Sequence, residues 1–413
     1  MLLSNREAAV DLGQAIESGW PYALVAISVL VAVWLAMRMR AKEEARSTKP
    51  KPSEAKPAAA KADDAEPTKP VEVPKPAPKA DTSPHAMILA DEVRTAQLRE
   101  AISMRCVTAT NAVELIEKAK RNNPAAVFVD VDLLPQLKGV LMSIPVVGVV
   151  DGPPAEALST TVRVLDEYPT LANVIAVSLL TMPHGKAHLD SLLERLAGGL
   201  EHDLLSSASV GRVAMLAQAS HREKRFERMH AYFTKQGMST RTIAVLQDLA
   251  EELVMNALYN APSEAGYFKT PVSRTEDVTL PLDRACEISY GIEAGNAFIR
   301  LRDTFGSLRR ERLVEVLRRC NSTEVTLDES NGGAGLGLWR IFSASSTIAI
   351  TVIPGRLTDV LIRVSPRQAK SARQLLAVHL FFFPEETTTA EPIALDQDSS
   401  MVDHSITLIQ ANN

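Results

Sequence analysis

In "STRTIAVLQDLAEELVMNALYNAP" four chemistry-bearing side chains, Asp248, Glu252, Asn256 and Asn260, recur every four residues. That spacing lines two carboxyls and two amides along one face of a helix, with Ile243, Leu246, Ala250, Leu253, Ala257 and Leu258 on the opposite side. No cation interrupts the stripe, so its charges repel unless one is supplied from elsewhere. Two readings follow: a site for a metal or a donor-rich ligand, and an exposed acidic face. A second stretch, "NGGAGLGLWRIF" from Asn331 to Phe342, has four glycines in its first seven residues and then turns apolar. Alone it is either a loose turn or a glycine-rich collar whose backbone N–H groups face a nucleotide's phosphates ahead of a helix N-terminus.

The surrounding pattern indicates the elements that must position these groups. From Ala86 the chain alternates short apolar runs ("AMILADE", "AAVFVDVDLL", "SIPVVGVV", "NVIAVSLL") with amphipathic ones ("VRTAQLREAI", "NAVELIEKAKRN", "AEALSTTVRVLDEY", "HLDSLLERLAGG"). Strand and helix in alternation predict a doubly wound parallel sheet with functional groups at the strands' carboxyl ends, where Asp91, Glu92 and Asp130 fall. Leu204 to Gln236 reads as a helical connector. Beyond the Glu252 helix, Ala285–Ile292 and Ala297–Arg302 read as a hairpin turning at "EAGN", with Asp303 where its second strand ends. A basic helical segment, "RRERLVEVLRRC", precedes the glycines, and "TIAITVIPG" with "TDVLIRV" predicts a final hairpin of β-branched residues. After Pro366 one more apolar run, "LLAVHLFFF", is followed from about Pro384 by an acidic, Thr-rich tail expected to be disordered.

The order "ELVMNA" (Glu252 to Ala257), "DTFGS" (Asp303 to Ser307) and "GAGLGL" (Gly333 to Leu338) resembles the GHKL ATP-binding fold of histidine kinases, gyrase-type ATPases and anti-sigma-factor serine kinases. The resemblance covers about Met229 to Val364. It implies ATP and Mg²⁺ as cofactors, with Asn256 as the magnesium ligand, Glu252 as the group that orients or deprotonates the attacking hydroxyl, and Asp303 as acceptor for the adenine amino group. It also implies Gly306, Gly333, Gly335, Leu336 and Gly337 along the nucleotide, and a lid over Ser307 to Asn331. Phe305 stands where the family's Asp-x-Gly-x-Gly pattern has its first glycine. His221 and His230 lack the His-Glu-x-x-x-Pro setting of a histidine kinase's phospho-acceptor, and the layout is closest to the anti-sigma serine kinases. That branch implies transfer of phosphate to a Ser or Thr of a protein partner, or ATP-dependent sequestration of the partner, with a homodimer as the usual assembly.

The segment from about Ala86 to Gly199 resembles a response-regulator receiver. By that resemblance Asp91, Glu92 and Asp130 match its magnesium ligands and Asp130 its phosphoacceptor. The "VVDG" after the fourth strand lacks the family's hydroxyl residue, and a degenerate receiver-like unit used for protein contact is the other reading.

Length and composition frame these sites. At 413 residues, 46% hydrophobic and 23% charged with a formal net charge of −5, the chain has room for two domains and no basic excess, so no nucleic-acid partner is expected. Cys106, Cys286 and Cys320 lie far apart and predict neither a zinc knuckle nor a disulfide framework. "WPYALVAISVLVAVWLAM", Trp20 to Met37, is an uncharged run close to the ~20 residues a spanning helix needs, and Arg38, Arg40 and Lys42 follow it. A transmembrane helix with the rest of the chain in the cytoplasm, hence a single-pass protein of the inner (cytoplasmic) membrane, is the expectation over a cleaved signal peptide. The expected organisation is therefore an extracytoplasmic stretch 1–19, a transmembrane helix 20–37, a disordered Lys/Pro/Ala-rich linker 38–84, a receiver-like α/β domain 85–200, a helical connector 201–236, an ATP-binding two-layer α/β sandwich 237–383 and a disordered tail 384–413. The expected function is a membrane-anchored signalling kinase or ATPase acting on a protein regulator or substrate, with an ATP-dependent binding switch or a scaffold with a relic pocket as alternatives.

Overall fold

A computed structural model describes residues 83–137, 144–206, 209–270, 272–321, 336–366 and 375–384. In chain order these form β1 (His85–Leu89), α1 (Glu92–Ala101), β2 (Arg105–Thr108), α2 (Ala112–Asn122), β3 (Ala126–Asp130), β4 (Val146–Val150), α3 (Pro154–Glu167), β5 (Asn173–Ala176) and α4 (Gly185–Gly198). There follow β6 (Val210–Leu216), α5 (Arg222–Lys235), α6 (Thr240–Met255), β7 (Cys286–Glu293), β8 (Asn296–Asp303), α7 (Arg310–Asn321), α8 (Leu336–Ala344), β9 (Thr347–Ile353), β10 (Leu357–Val364) and β11 (Ala377–Phe382). The helices start where the sequence supplies caps: Asp91, Asn111 and Ser239 each accept a backbone N–H in the first turn of α1, α2 and α6, satisfying donors a helix start leaves open.

All eleven strands join one sheet in the order β2-β1-β3-β4-β5-β11-β9-β10-β8-β7-β6. The first five are parallel to one another, whereas β9-β10-β8-β7-β6 are antiparallel. Between them lies β11, antiparallel to β5 through Ala377↔Ile175 and parallel to β9 from Ala377↔Thr347 to Phe382↔Val352. Around β1–β5 helices cover both faces, α1 and α4 on one side and α2 and α3 on the other. Over the antiparallel strands α5, α6, α7 and α8 share the face of α2 and α3. The other face there carries an ion-pair ladder in which Arg300 bonds both Asp359 oxygens at 2.8 and 2.5 Å and Asp203 at 2.5 Å.

Three expectations are corrected. The described chain is not a doubly wound domain followed by a separate sandwich but one mixed α/β sheet, because β11, from the apolar run after Pro366, closes the edge that β5 and β9 would each otherwise expose. The stretch read as a helical connector contains the edge strand β6, whose Val210–Leu216 pairs with β7 over its whole length. Among the described residues no helix is long and apolar enough to cross a membrane. The longest α-helix, α6, has 16 residues and carries Asp248, Glu251 and Glu252, short of the ~20 apolar residues a span requires. The run 20–37 lies outside the described residues, as do the linker through residue 82 and the tail from residue 385, and the transmembrane helix and inner-membrane placement are withdrawn.

Candidate functional site

One cleft is lined by four of the residues that the sequence singles out, Glu252, Asn256, Asn260 and Asp303. α6 packs across β8 and β10, and its last turn passes into a π-turn at Asn256–Asn260. Such a widened turn breaks the regular backbone ladder and is frequent at functional sites. Here the side chain of Asn260 donates to Asn256 Oδ1 at 2.7 Å. The cleft holds about 910 Å³ of empty space, its mouth included, and is lined by Glu252, Asn256, Asn260, Arg274, Asp303 and Thr358 together with α7 and α8 residues. Its walls are aliphatic, from Leu253, Leu301, Ile341, Ile350 and Val360.

Among the lining residues, Asp303 is 4% exposed at the last position of β8. One of its oxygens accepts the backbone N–H groups of Phe305 at 2.9 Å and Gly306 at 3.4 Å. Burial raises its carboxyl to about 6 against the opposing pull of those two bonds. Thr358 is its register partner on β10 and is close enough to help hold that charge, yet its buried Oγ1 has no partner of hydrogen-bond geometry among the described residues. A buried acceptor and an unspent hydroxyl among aliphatic walls are suited to a flat heterocycle bearing an amino group. Gly306 is needed after Asp303: its φ is +56° and a Cβ there would meet Ile353 O at 2.1 Å. Phe305, in place of the family's glycine, is buried edge-on against Tyr267 with ring centroids 5.6 Å apart.

The cleft's other polar lining comes from Glu252, Asn256, Asn260 and Arg274. Glu252 lies against Gly337 so closely that a Cβ on the glycine would sit 1.7 Å from its Oε1. The collar's last glycine is therefore the surface on which the carboxylate rests. The stripe's missing cations come from other segments: Arg274 NH2 is 3.9 Å from Glu252 Oε1 and 3.5 Å from Asn260 Oδ1, and Arg340 of α8 is 3.7 Å from Asp248. Gly333, Gly335 and the side chain of Leu336 lie outside the described residues.

The lid segment begins with α7. Arg312 and Val316 line the cleft, while its other side docks on α3. Arg310 donates to the carbonyls of Leu165, Leu171 and Tyr168 at 2.9, 3.2 and 3.4 Å, and Asn321 bonds Ser159 at 3.1 Å. Carbonyls left open at the end of a helix take a cation well. This ties α7 to the parallel half of the sheet.

Asp91, Glu92 and Asp130 are far less well matched to a metal. Glu92 is exposed in the first turn of α1, and Asp91 and Asp130 are ion-paired to Arg94. Among the described residues no group of three or more His, Cys, Asp or Glu side chains is arranged to hold a metal ion.

No family model matches the chain, and no curated protein matches it. Reading of the site therefore rests on geometry. Sequence reasoning missed Thr358, Arg274, Arg340 and Arg94. For Thr358 no local signal existed: β8 and β10 belong to different hairpins, and only their pairing in the sheet sets it opposite Asp303.

Proposed function

We propose that the cleft binds ATP with Mg²⁺ and that the chain uses it to transfer a phosphoryl group to a hydroxyl of a protein partner. The observation that supports this reading is that one cleft is lined both by the buried Asp303, with Thr358 beside it, and by the more exposed Glu252, Asn256 and Arg274. The residues present fit the nucleotide, because its amino-bearing base needs a buried acceptor and its triphosphate needs amide oxygens for the metal and a cation for charge. Bound Mg-ATP supplies an activated phosphoryl group whose transfer depends mainly on positioning and charge neutralisation.

Each residue then has a task set by its place. Asp303 and Thr358 orient the base and so exclude bases that lack a donor there. Asn256 presents its amide oxygen for the metal while Asn260 holds that amide in orientation through its 2.7 Å bond. Arg274 adds a fixed positive charge beside Glu252. Glu252, braced on Gly337, accepts the proton of the incoming hydroxyl. Glu252→Ala should lower phosphotransfer to a protein acceptor by about 10²-fold or more, with nucleotide affinity retained.

One feature favours an alternative, an ATP-dependent binding switch without transfer. Glu252 Oε1 already has Arg274 at 3.9 Å, a partner that competes with an incoming hydroxyl for the same oxygen. On that reading Glu252→Ala leaves partner capture intact and no labelled phosphate reaches any protein.

A further inference from the structure

We infer that the acidic pocket at the carboxyl ends of β1, β3 and β4 carries its own cation, the Arg94 guanidinium, and that the native chain holds neither a divalent metal nor a phosphoryl group there. Three aspartates converge on it, Asp91 after β1, Asp130 at the end of β3 and Asp151 after β4. Each guanidinium nitrogen takes a different one: Nε is 3.4 Å from Asp91 Oδ2, NH2 donates to Asp151 Oδ2 at 3.1 Å, and NH1 is paired with Asp130 Oδ2. A flat fork of donors is well suited to this division.

The remaining oxygens are also spent. Asp91 Oδ1 accepts the backbone N–H of Arg94 at 2.8 Å, Asp130 Oδ1 that of Asp132 at 3.1 Å, and Asp151 Oδ1 that of Gly152 at 2.7 Å. All six carboxylate oxygens are thus engaged, three by backbone amides and three by one side chain. Mg²⁺ demands a near-octahedral set of free oxygens at about 2.1 Å, and a phosphoryl group on Asp130 needs the oxygen that Arg94 holds. Arg94 is not a distant visitor: it is in the first turn of α1, on the helix that Asp91 itself caps. The β4–α3 junction is therefore fixed by a residue of the chain, with no dependence on an external ion.

Without the guanidinium, three carboxylate oxygens would face one another with no cation, and that arrangement binds divalent ions. The test uses the full chain without nucleotide and Mn²⁺ as the probe, followed by its paramagnetic resonance signal. Native protein should show no Mn²⁺ binding that depends on Asp130, and its melting temperature should be unchanged by the ion. Arg94→Ser should gain one site with a dissociation constant of roughly 10⁻³ M or tighter, as expected for weak oxygen-ligand sites, and adding Asp130→Asn should remove it. Mn²⁺ binding or thermal stabilisation of the native chain that Asp130→Asn abolishes would overturn the inference, and this arm decides even where Arg94→Ser does not fold. So would a folded Arg94→Ser protein that gains no site.

Discussion

Glu252 and Gly337 meet across two helices, and their contact ties the glycine motif to the acid stripe. Adding one methyl at residue 337 must displace the Glu252 carboxylate, since the new atom would lie 1.7 Å from Oε1, while the backbone can keep its path. Gly337→Ala is therefore expected to lower phosphotransfer by about 10-fold or more, the scale of losing part of a general base's contribution, and to change ATP affinity by less. Equal losses in both would mean that the glycine serves binding alone. That Glu252 and Asn256 share one face follows from their four-residue spacing, and that Asp303 ends a strand follows from the hairpin pattern of β7 and β8. Arg274, Arg340 and Thr358 were not legible, because their partners come from segments distant in sequence and spacing carries no such pairing. Phe305 shows the same limit: its type looked like a departure, whereas its burial against Tyr267 shows that the turn after Asp303 is built on packing.

At the scale of elements, α7 matters most, since one face lines the cleft and the other grips α3. One Arg310 nitrogen, NH2, shares its two hydrogens among the carbonyls of Leu165 in the last turn of α3, Tyr168 just after it and Leu171 before β5, and a hydrogen bond from a charged group contributes about 1.5–3 kcal/mol. Arg310→Ala should lower global stability by about 1–3 kcal/mol and raise amide exchange across Arg310–Asn321, read by hydrogen-exchange mass spectrometry. If exchange rises only in α3, the arginine caps that helix without holding α7. The helices α2, α3, α6 and α7 follow from their apolar spacing. The π-turn at Asn256–Asn260 was invisible, since the pattern continues through it and only the backbone ladder changes.

Across the whole molecule, the sheet is continuous because of six residues near the end of the described chain. β11 places His379, fully buried, 2.9 Å from His188 of α4 and 3.0 Å from Asn173 of β5. Burial drives both rings toward the neutral form, His379 down to about 3 and His188 well below its ordinary value. A depressed histidine contributes stability that is present above the unfolded pKa of 6.5 and is lost as pH falls toward 3. Denaturant midpoints should thus drop between pH 7 and pH 5, and the drop should shrink in the His188→Leu/His379→Leu double variant. An unchanged slope would place the acid sensitivity elsewhere. "LLAVHLFFF" was readable as apolar and strand-like, but its partners were not, since a strand can fill any open edge and β11 pairs with β5, about 200 residues earlier in the chain. That is why a single sheet replaced the two units expected.

If Asp303 makes the cleft a site for ATP, calorimetric titration of the full chain with ATP and Mg²⁺ will show it. The native protein should bind one ATP with saturable heat, the affinity should fall as pH drops through about 6 and Asp303 is protonated, and Asp303→Asn should weaken binding by about 10-fold or more while remaining folded. No heat from the native chain, or equal affinity in native and Asp303→Asn proteins, would contradict the account.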